Sequence, residues 1–543
     1  PLLPTTHRTV PSATLTAREA APRALGAALG LGVLGDLLLR AQPLGLNLPV
    51  LVAALLASGA WLARRTGRPL TLGATLLGAL ALAFAVAVAW RDAPTLVALD
   101  VLALLSVLCA LVPTVLHGDA LAVDRAGPLA YVAGAASTGA RVAVGAPMLT
   151  VRALEATPLR ATAAAARLGT LARGALLAAP VLLVFGALLV SADPTFERLL
   201  QRAFGWDGGL LADHLAAIAI VSWGAGGLLY AALLDRRAPR DPSLPDPLTA
   251  AGLTVRERLR GIGVGVRETT VALGLIDALF IGFGVLQVRW LFGGAVALQA
   301  AGLTVAEYAR SGFFELVTVA TLALPLLLVA HGVVGEAAPS GEPSQEPPRD
   351  GRMAHRAFRI AAGVLVALLL VLLASAADRM RLYLDAFGLT QARFYASTLM
   401  VWLGAVFVWA AATLLRGRAA PFALGTLVSA WGFVLALHVV NPDARVAAVN
   451  LARAAAGQPL DVEYLRGLSA DAVPALARRA PALLAAHPDA AVRCALRQAV
   501  HAAALRADQP GDWRGWRLSR ARARHVLPAW AGDTPPGCDR VDG

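Results

Sequence analysis

Apolar residues along the chain gather into blocks of roughly 16 to 23, broken by short polar stretches, and that length carries an α-helix across about 30 Å of hydrocarbon. Eleven such spans can be marked, at residues 24–39, 44–62, 72–90, 94–116, 174–190, 214–234, 270–291, 313–330, 360–377, 394–415 and 421–440. The pattern predicts an all-α, polytopic transmembrane helix bundle. A further stretch, 127–150, is rich in Gly and Ala and carries Arg141 near its middle. A charge at that depth is expensive, so this stretch is expected to lie on the surface or to re-enter. The first block is not followed by a small-residue cleavage site and reads as a retained helix.

Beyond residue 440 the period stays helical but the blocks shorten, with Pro474, Pro481 and Pro488 as punctuation, which predicts a small helical domain. A segment rich in Pro, Ser, Glu and Gly separates eight spans from three. The expected organisation is therefore a transmembrane bundle at 1–334, a flexible cytoplasmic linker at 335–356, a three-helix transmembrane part at 357–440 and an extracytoplasmic helical domain at 441–543.

Charge placement gives the sidedness. With the N-terminus inside, about 25 arginines fall in inner segments and about 9 in outer loops, as expected of an inner membrane protein. An odd number of spans then leaves the domain after residue 440 outside the cytoplasm. The composition agrees with a membrane protein: 57% of residues are apolar and 15% charged, against about a quarter charged in soluble domains. The net charge of +13 is carried by arginine without a single lysine. P-loop nucleotide hydrolysis and Schiff-base chemistry, both of which need a lysine, are excluded. Cys109 lies in an apolar block and Cys494 and Cys538 in the C-terminal region; whether the last two pair is open from spacing alone. No CxxC, HExxH or GxSxG arrangement occurs, so neither a metal nor a cofactor is expected.

Candidate chemistry rests on polar residues in costly places. Asp36, Asp100 and Asp277 lie within spans and Glu315 at the outer edge of one, with Asp277 the deepest. Each reads either as a proton or cation ligand or as a hydrogen-bonded carboxyl that fixes helix packing. A second set belongs to the outer loops: Arg289, Glu307, Tyr308 and Arg310 after the seventh span, and Arg379, Arg381, Tyr383, Asp385 and Arg393 after the ninth. Such a cluster can grip an anionic headgroup, or it can anchor interfacial helices. His438 reads as a structural or interfacial histidine. The run containing Trp513, Trp516, Arg517, Arg520, Arg522 and Arg524 is expected to dock on phospholipid headgroups rather than nucleic acid. Membrane lipids and an envelope protein are the expected partners.

Six segments resemble a bacterial multi-pass membrane family, domain of unknown function 4173, and its sister group 4153: residues 289–294 (RWLFGG), 306–315 (AEYARSGFFE), 387–395 (FGLTQARFY), Asn441-Pro-Asp443 with Asn450, 460–474 (LDVEYLRGLSADAVP) and 512–516 (DWRGW). The resemblance implies a polytopic bacterial membrane protein and brings no reaction, substrate or catalytic residue with it. Two functional expectations follow. One is a non-catalytic sensing or scaffolding component of the envelope. The other is a proton-coupled transporter or lipid-modifying transferase using Asp277 and the outer polar cluster.

Overall fold

The computed structural model describes residues 15–68, 70–118, 127–156, 209–235, 265–291, 313–334, 349–486, 489–507 and 512–526. Among them every regular element is helical, and nine helices are long and apolar enough to cross a membrane. The bundle comprises α1 (Ala17–Leu39), α2 (Asn47–Arg65), α3 (Leu72–Trp90), α4 (Pro94–His117), α5 (Pro128–Ala156), α6 (Gly209–Leu229, extended by a π turn at Tyr230–Leu234), α7 (Val266–Leu291), α8 (Phe313–Val334), α9 (Arg349–Phe387), α10 (Gln391–Thr413) and α11 (Ala419–Val440). The helical cap consists of α12 (Pro442–Ala455), α13 (Val462–Arg466), α14 (Val473–Ala486), α15 (Ala490–Ala507) and α16 (Leu518–Arg524). The span expected at 174–190 lies outside the described residues, and the one at 313–330 is α8, whose apolar stretch Leu316–His331 is shorter than the nine.

Local chemistry sets the helix ends. Thr16 and Glu19 form a capping box on α1, Thr71 and Thr390 cap α3 and α10, and Asn441 caps α12 ahead of Pro442 at its first position. Only 17% to 44% of each spanning window is buried inside the protein, so lipid must accept the remaining apolar surface.

Contacts sort the helix ends into two faces. At one face Leu15 N–H donates to the Arg65 carbonyl, and Arg68 donates to the carbonyls of Leu116 and Ala232, closing the ends of α4 and α6. At the other, Arg517 Nε donates to the Leu44 carbonyl and the Arg91 side chain to the His438 carbonyl. The start of α1 and the cap therefore lie at opposite ends of the bundle.

Two expectations change here. The stretch 127–150 is neither surface-lying nor a short re-entry: it belongs to a continuous helix of 29 residues built into the bundle. Gly145 crosses Gly227 so closely that a Cβ on either would clash, and Leu149 and Ala153 are buried against α1 and α6. Its polar ties, Arg141 to Asp235 at 3.7 Å and Arg152 to the Leu234 carbonyl at 2.7 Å, lie at the face of Arg65 and Arg68, opposite the cap. The expected outer loop after the ninth span is instead the continuation of α9, which runs unbroken for 39 residues. Its apolar stripe persists through the polar stretch, with Ala376 and Met380 buried and Tyr383 and Leu384 packed beside them, so the helix extends to Phe387. Residues 335–348 lie outside the described residues, and 349–356, read as linker, are the start of this helix.

The cap shares its core with the membrane part. Leu96, Leu389, Phe394 and Leu437, at the cap-side ends of α4, α10 and α11, pack in one cluster with Val446, Leu451, Leu476 and Val500 of the cap.

Candidate functional site

The polar residues that the fold concentrates lie where the cap meets the bundle. In the α3–α4 turn, Arg91-Asp92-Ala93, Arg91 and Ala93 are buried and Asp92 is half-buried, so the turn's backbone N–H groups need partners. Asp471, two residues ahead of α14, supplies them: its Oδ2 accepts from the N–H groups of Asp92 and Ala93 at 2.6 and 3.1 Å, so the turn into α4 is held by a residue 378 positions away from Ala93. Its Oδ1 faces Arg91 Nη1 at 3.2 Å, and the Ser519 hydroxyl is shared between that oxygen and the Trp90 carbonyl. Arg91 and Asp471 are 7% and 4% exposed. Breaking so deeply buried a pair costs about 3–5 kcal/mol.

Around this centre Asp92 accepts from Arg517 at 2.5 Å and Arg520 at 3.0 Å. Asp443, fully buried, accepts from Gln391 Nε2 at 2.6 Å and from the Ser469 N–H at 3.0 Å. Asn450 pairs with both backbone groups of Leu389, and the Tyr464 hydroxyl accepts from the Gln391 N–H at 2.6 Å. Burial raises the Tyr464 phenol above its ordinary range. The run 513–524 also closes on the protein: Arg514 donates to the Leu37 carbonyl, and Gly515 lies against Gly45 with no room for a Cβ on Gly45. Trp513 and Trp516 remain exposed.

Beneath the joint lies a buried carboxylate–imidazole pair. His438 Nε2 and Asp100 Oδ1 are 2.8 Å apart, neither residue is exposed, and Trp90 stacks on the imidazole at 5.6 Å. Asp100 Oδ2, His438 Nδ1, Trp90 Nε1 and the Tyr395 hydroxyl are buried without hydrogen-bond partners. An imidazole with one nitrogen on a carboxylate and the other unengaged can hold or pass a proton.

The remaining sequence candidates scatter. Asp36 is buried near the end of α1, where His214 Nδ1 lies 2.5 Å from Oδ2 and Arg40 Nε 3.3 Å from Oδ1. Asp277 is buried on α7, and its Oδ1 has no hydrogen-bond partner. Glu315 and Arg289 fall in helix α8 and helix α7 with their side chains outside the described residues, where Glu307, Tyr308 and Arg310 also lie. Arg379 is buried on α9 and Arg381 is exposed. Arg393 sits 4.0 Å over the Tyr383 ring and donates to the Phe387 and Gly388 carbonyls at 3.1 and 2.6 Å, while the Asp385 carbonyl accepts from Arg453. Arg393 thus closes the end of α9 beside Gly388, whose φ of +74° makes the turn into α10. Sequence reasoning missed Arg91, Asp92, Asp471 and Ser519. The one visible sign was an Arg-Asp dipeptide wedged between two spans.

No curated protein and no solved structure matches the chain at a significant level. A family model described as a domain of unknown function, DUF4153, matches residues 74–479. The match begins in α3 and ends in α14, so it contains Arg91, Asp100, His438, Asp443 and Asp471 and leaves out Arg517 and Ser519. It is thus the sister of the two groups named above that matches, and over most of its length the chain belongs to this family of unknown function.

Proposed function

We propose that the protein is a non-catalytic component of the bacterial cell envelope, a sensor or scaffold whose cap lies outside the cytoplasm and passes its position to the ends of α3, α4 and α11. The buried Arg91–Asp471 joint carries this reading, because it ties the cap to three membrane helices through one inflexible set of contacts. The arginine-rich opposite face supports the orientation. So does the disulfide at Cys494 of α15, a bond that persists in oxidising compartments. Exposed Trp513 and Trp516 offer the cap a surface for lipid or for an envelope partner.

Alkaline phosphatase fused after Ala456 is expected to be active, and a cytoplasm-only fluorescent reporter at the same point dark. Bright fluorescence there would overturn the orientation. In a strain lacking the protein, Asp277→Asn is expected to restore the wild-type phenotype and Asp471→Ala to fail. The opposite pattern supports the alternative, a proton-coupled transporter or transferase, for which the His438–Asp100 pair is the favouring observation.

A further inference from the structure

A cleft of about 600 Å³ opens in the cap beside the Arg91–Asp471 joint, walled by α14, α16 and the start of α12. Small side chains keep it wide, among them Ala444, Ala470 and Ala477. Its charged lining is lopsided: Arg91, Arg478 and Arg522 stand against one acid, Asp471.

That acid is already committed. Arg91 and Ser519 engage its Oδ1 and the N–H groups of Asp92 and Ala93 its Oδ2, so Asp471 balances Arg91 and neither of the other two arginines. Arg478, exposed on α14, donates from Nε to the Pro474 carbonyl one turn back at 3.1 Å, which steadies the guanidinium and leaves both Nη groups as donors. Arg522 is exposed one turn after Ser519 on α16, and among the described residues it makes no hydrogen bond or ion pair. Two uncompensated guanidiniums therefore line one cavity, and an anion is the ligand that balances them.

Depth narrows the choice of anion. Arg91 directly follows α3 and Asn441 directly follows α11, so these two lining residues mark the level at which spanning helices leave the hydrocarbon. Lipid phosphates occupy that level, which favours a phosphate over the carboxylates of a protein partner.

We propose that this cleft binds the phosphate of an anionic glycerophosphate, a lipid headgroup or its water-soluble counterpart, through Arg478 and Arg522. The assignment is independent of which side of the membrane the cap occupies, since phospholipid headgroups line both.

Two titrations of the purified full-length protein test it: phosphatidylglycerol followed by native mass spectrometry, and sn-glycerol 3-phosphate followed by calorimetry. The wild type is expected to bind one equivalent of at least one probe, and the probe that binds tells the lipid source from the soluble one. Arg478→Gln with Arg522→Gln should weaken that binding about thirty-fold, the factor that two arginines near an anionic headgroup contribute. Because both positions are exposed, the unfolding temperature of this variant should match the wild type. Arg381→Gln with Arg466→Gln removes the same charge from exposed positions outside the cleft and should leave the affinity unchanged. Binding of neither probe, an unchanged affinity in the Arg478/Arg522 variant, or an equal loss in the Arg381/Arg466 variant would each overturn the proposal.

Discussion

Asp100 and Asp277 are both buried in apolar spans of this bundle, and their surroundings differ in kind. Asp100 meets His438 at 2.8 Å under a stacked Trp90, at the base of the polar joint that holds the cap. Asp277 lies on α7, the most lipid-facing of the nine spanning helices, where only 17% of the window is buried and Val271, Leu275 and Leu279 face outward. It occupies the narrow protein-facing side with Leu273, and its Oδ1 finds no partner. Depth alone singled out Asp277. Partners single out Asp100, because a group that the fold has surrounded with matching chemistry is one whose removal the fold will register.

The comparison can be broken in several ways. The largest loss is expected from Asp471→Ala, which strands Arg91 and leaves the Asp92 and Ala93 N–H groups without their acceptor: about 3–5 kcal/mol, read as early proteolysis after residue 440 and a lowered unfolding temperature. Arg91→Met combined with Asp471→Leu should lose less than the single variant, since no charge is left buried alone. His438→Ala should come next, at about 2–3 kcal/mol, by leaving Asp100 without its donor. Asp277→Leu is expected to fall within about 1 kcal/mol of the wild type, since it removes an unpaired polar group. Equal losses in His438→Ala and Asp277→Leu would erase the distinction.

The smallest effect is a pH dependence. Burial keeps the Tyr464 phenol neutral to higher pH in the folded cap than in the unfolded chain. Its contribution is whole below about pH 10 and is lost as pH rises through the folded value. Alkaline titration of cap release should therefore flatten in Tyr464→Phe, which at neutral pH costs about 1 kcal/mol for the lost acceptor of the Gln391 N–H.

Most of the architecture could be read from residue order because lipid imposes it: a span must be long, apolar and helical, and caps such as Thr16 with Glu19 or Asn441 with Pro442 announce its neighbours. The helix continuing through Asp378 to Phe387 escaped because charges interrupt the apolar block while its helical stripe goes on. The joint escaped for a different reason. Arg91 and Asp471 stand 380 positions apart, and no local spacing connects them. Asp100 was legible as a costly carboxylate and His438 as a histidine near a membrane surface. Their pairing depends on α4 and α11 being neighbours, which periodicity does not encode.

Helix α9 spans 39 residues, about 58 Å, nearly twice the hydrocarbon thickness, with no proline along its length. It is a shaft whose angular setting is fixed once for both of its ends. One residue inserted near Leu370 would advance everything beyond it by 1.5 Å and turn it by about 100°. Met380 would leave the core and Tyr383 would swing from beneath Arg393, although neither residue had been touched. The register between the arginine-rich face and the cap is thus counted in whole residues along one helix.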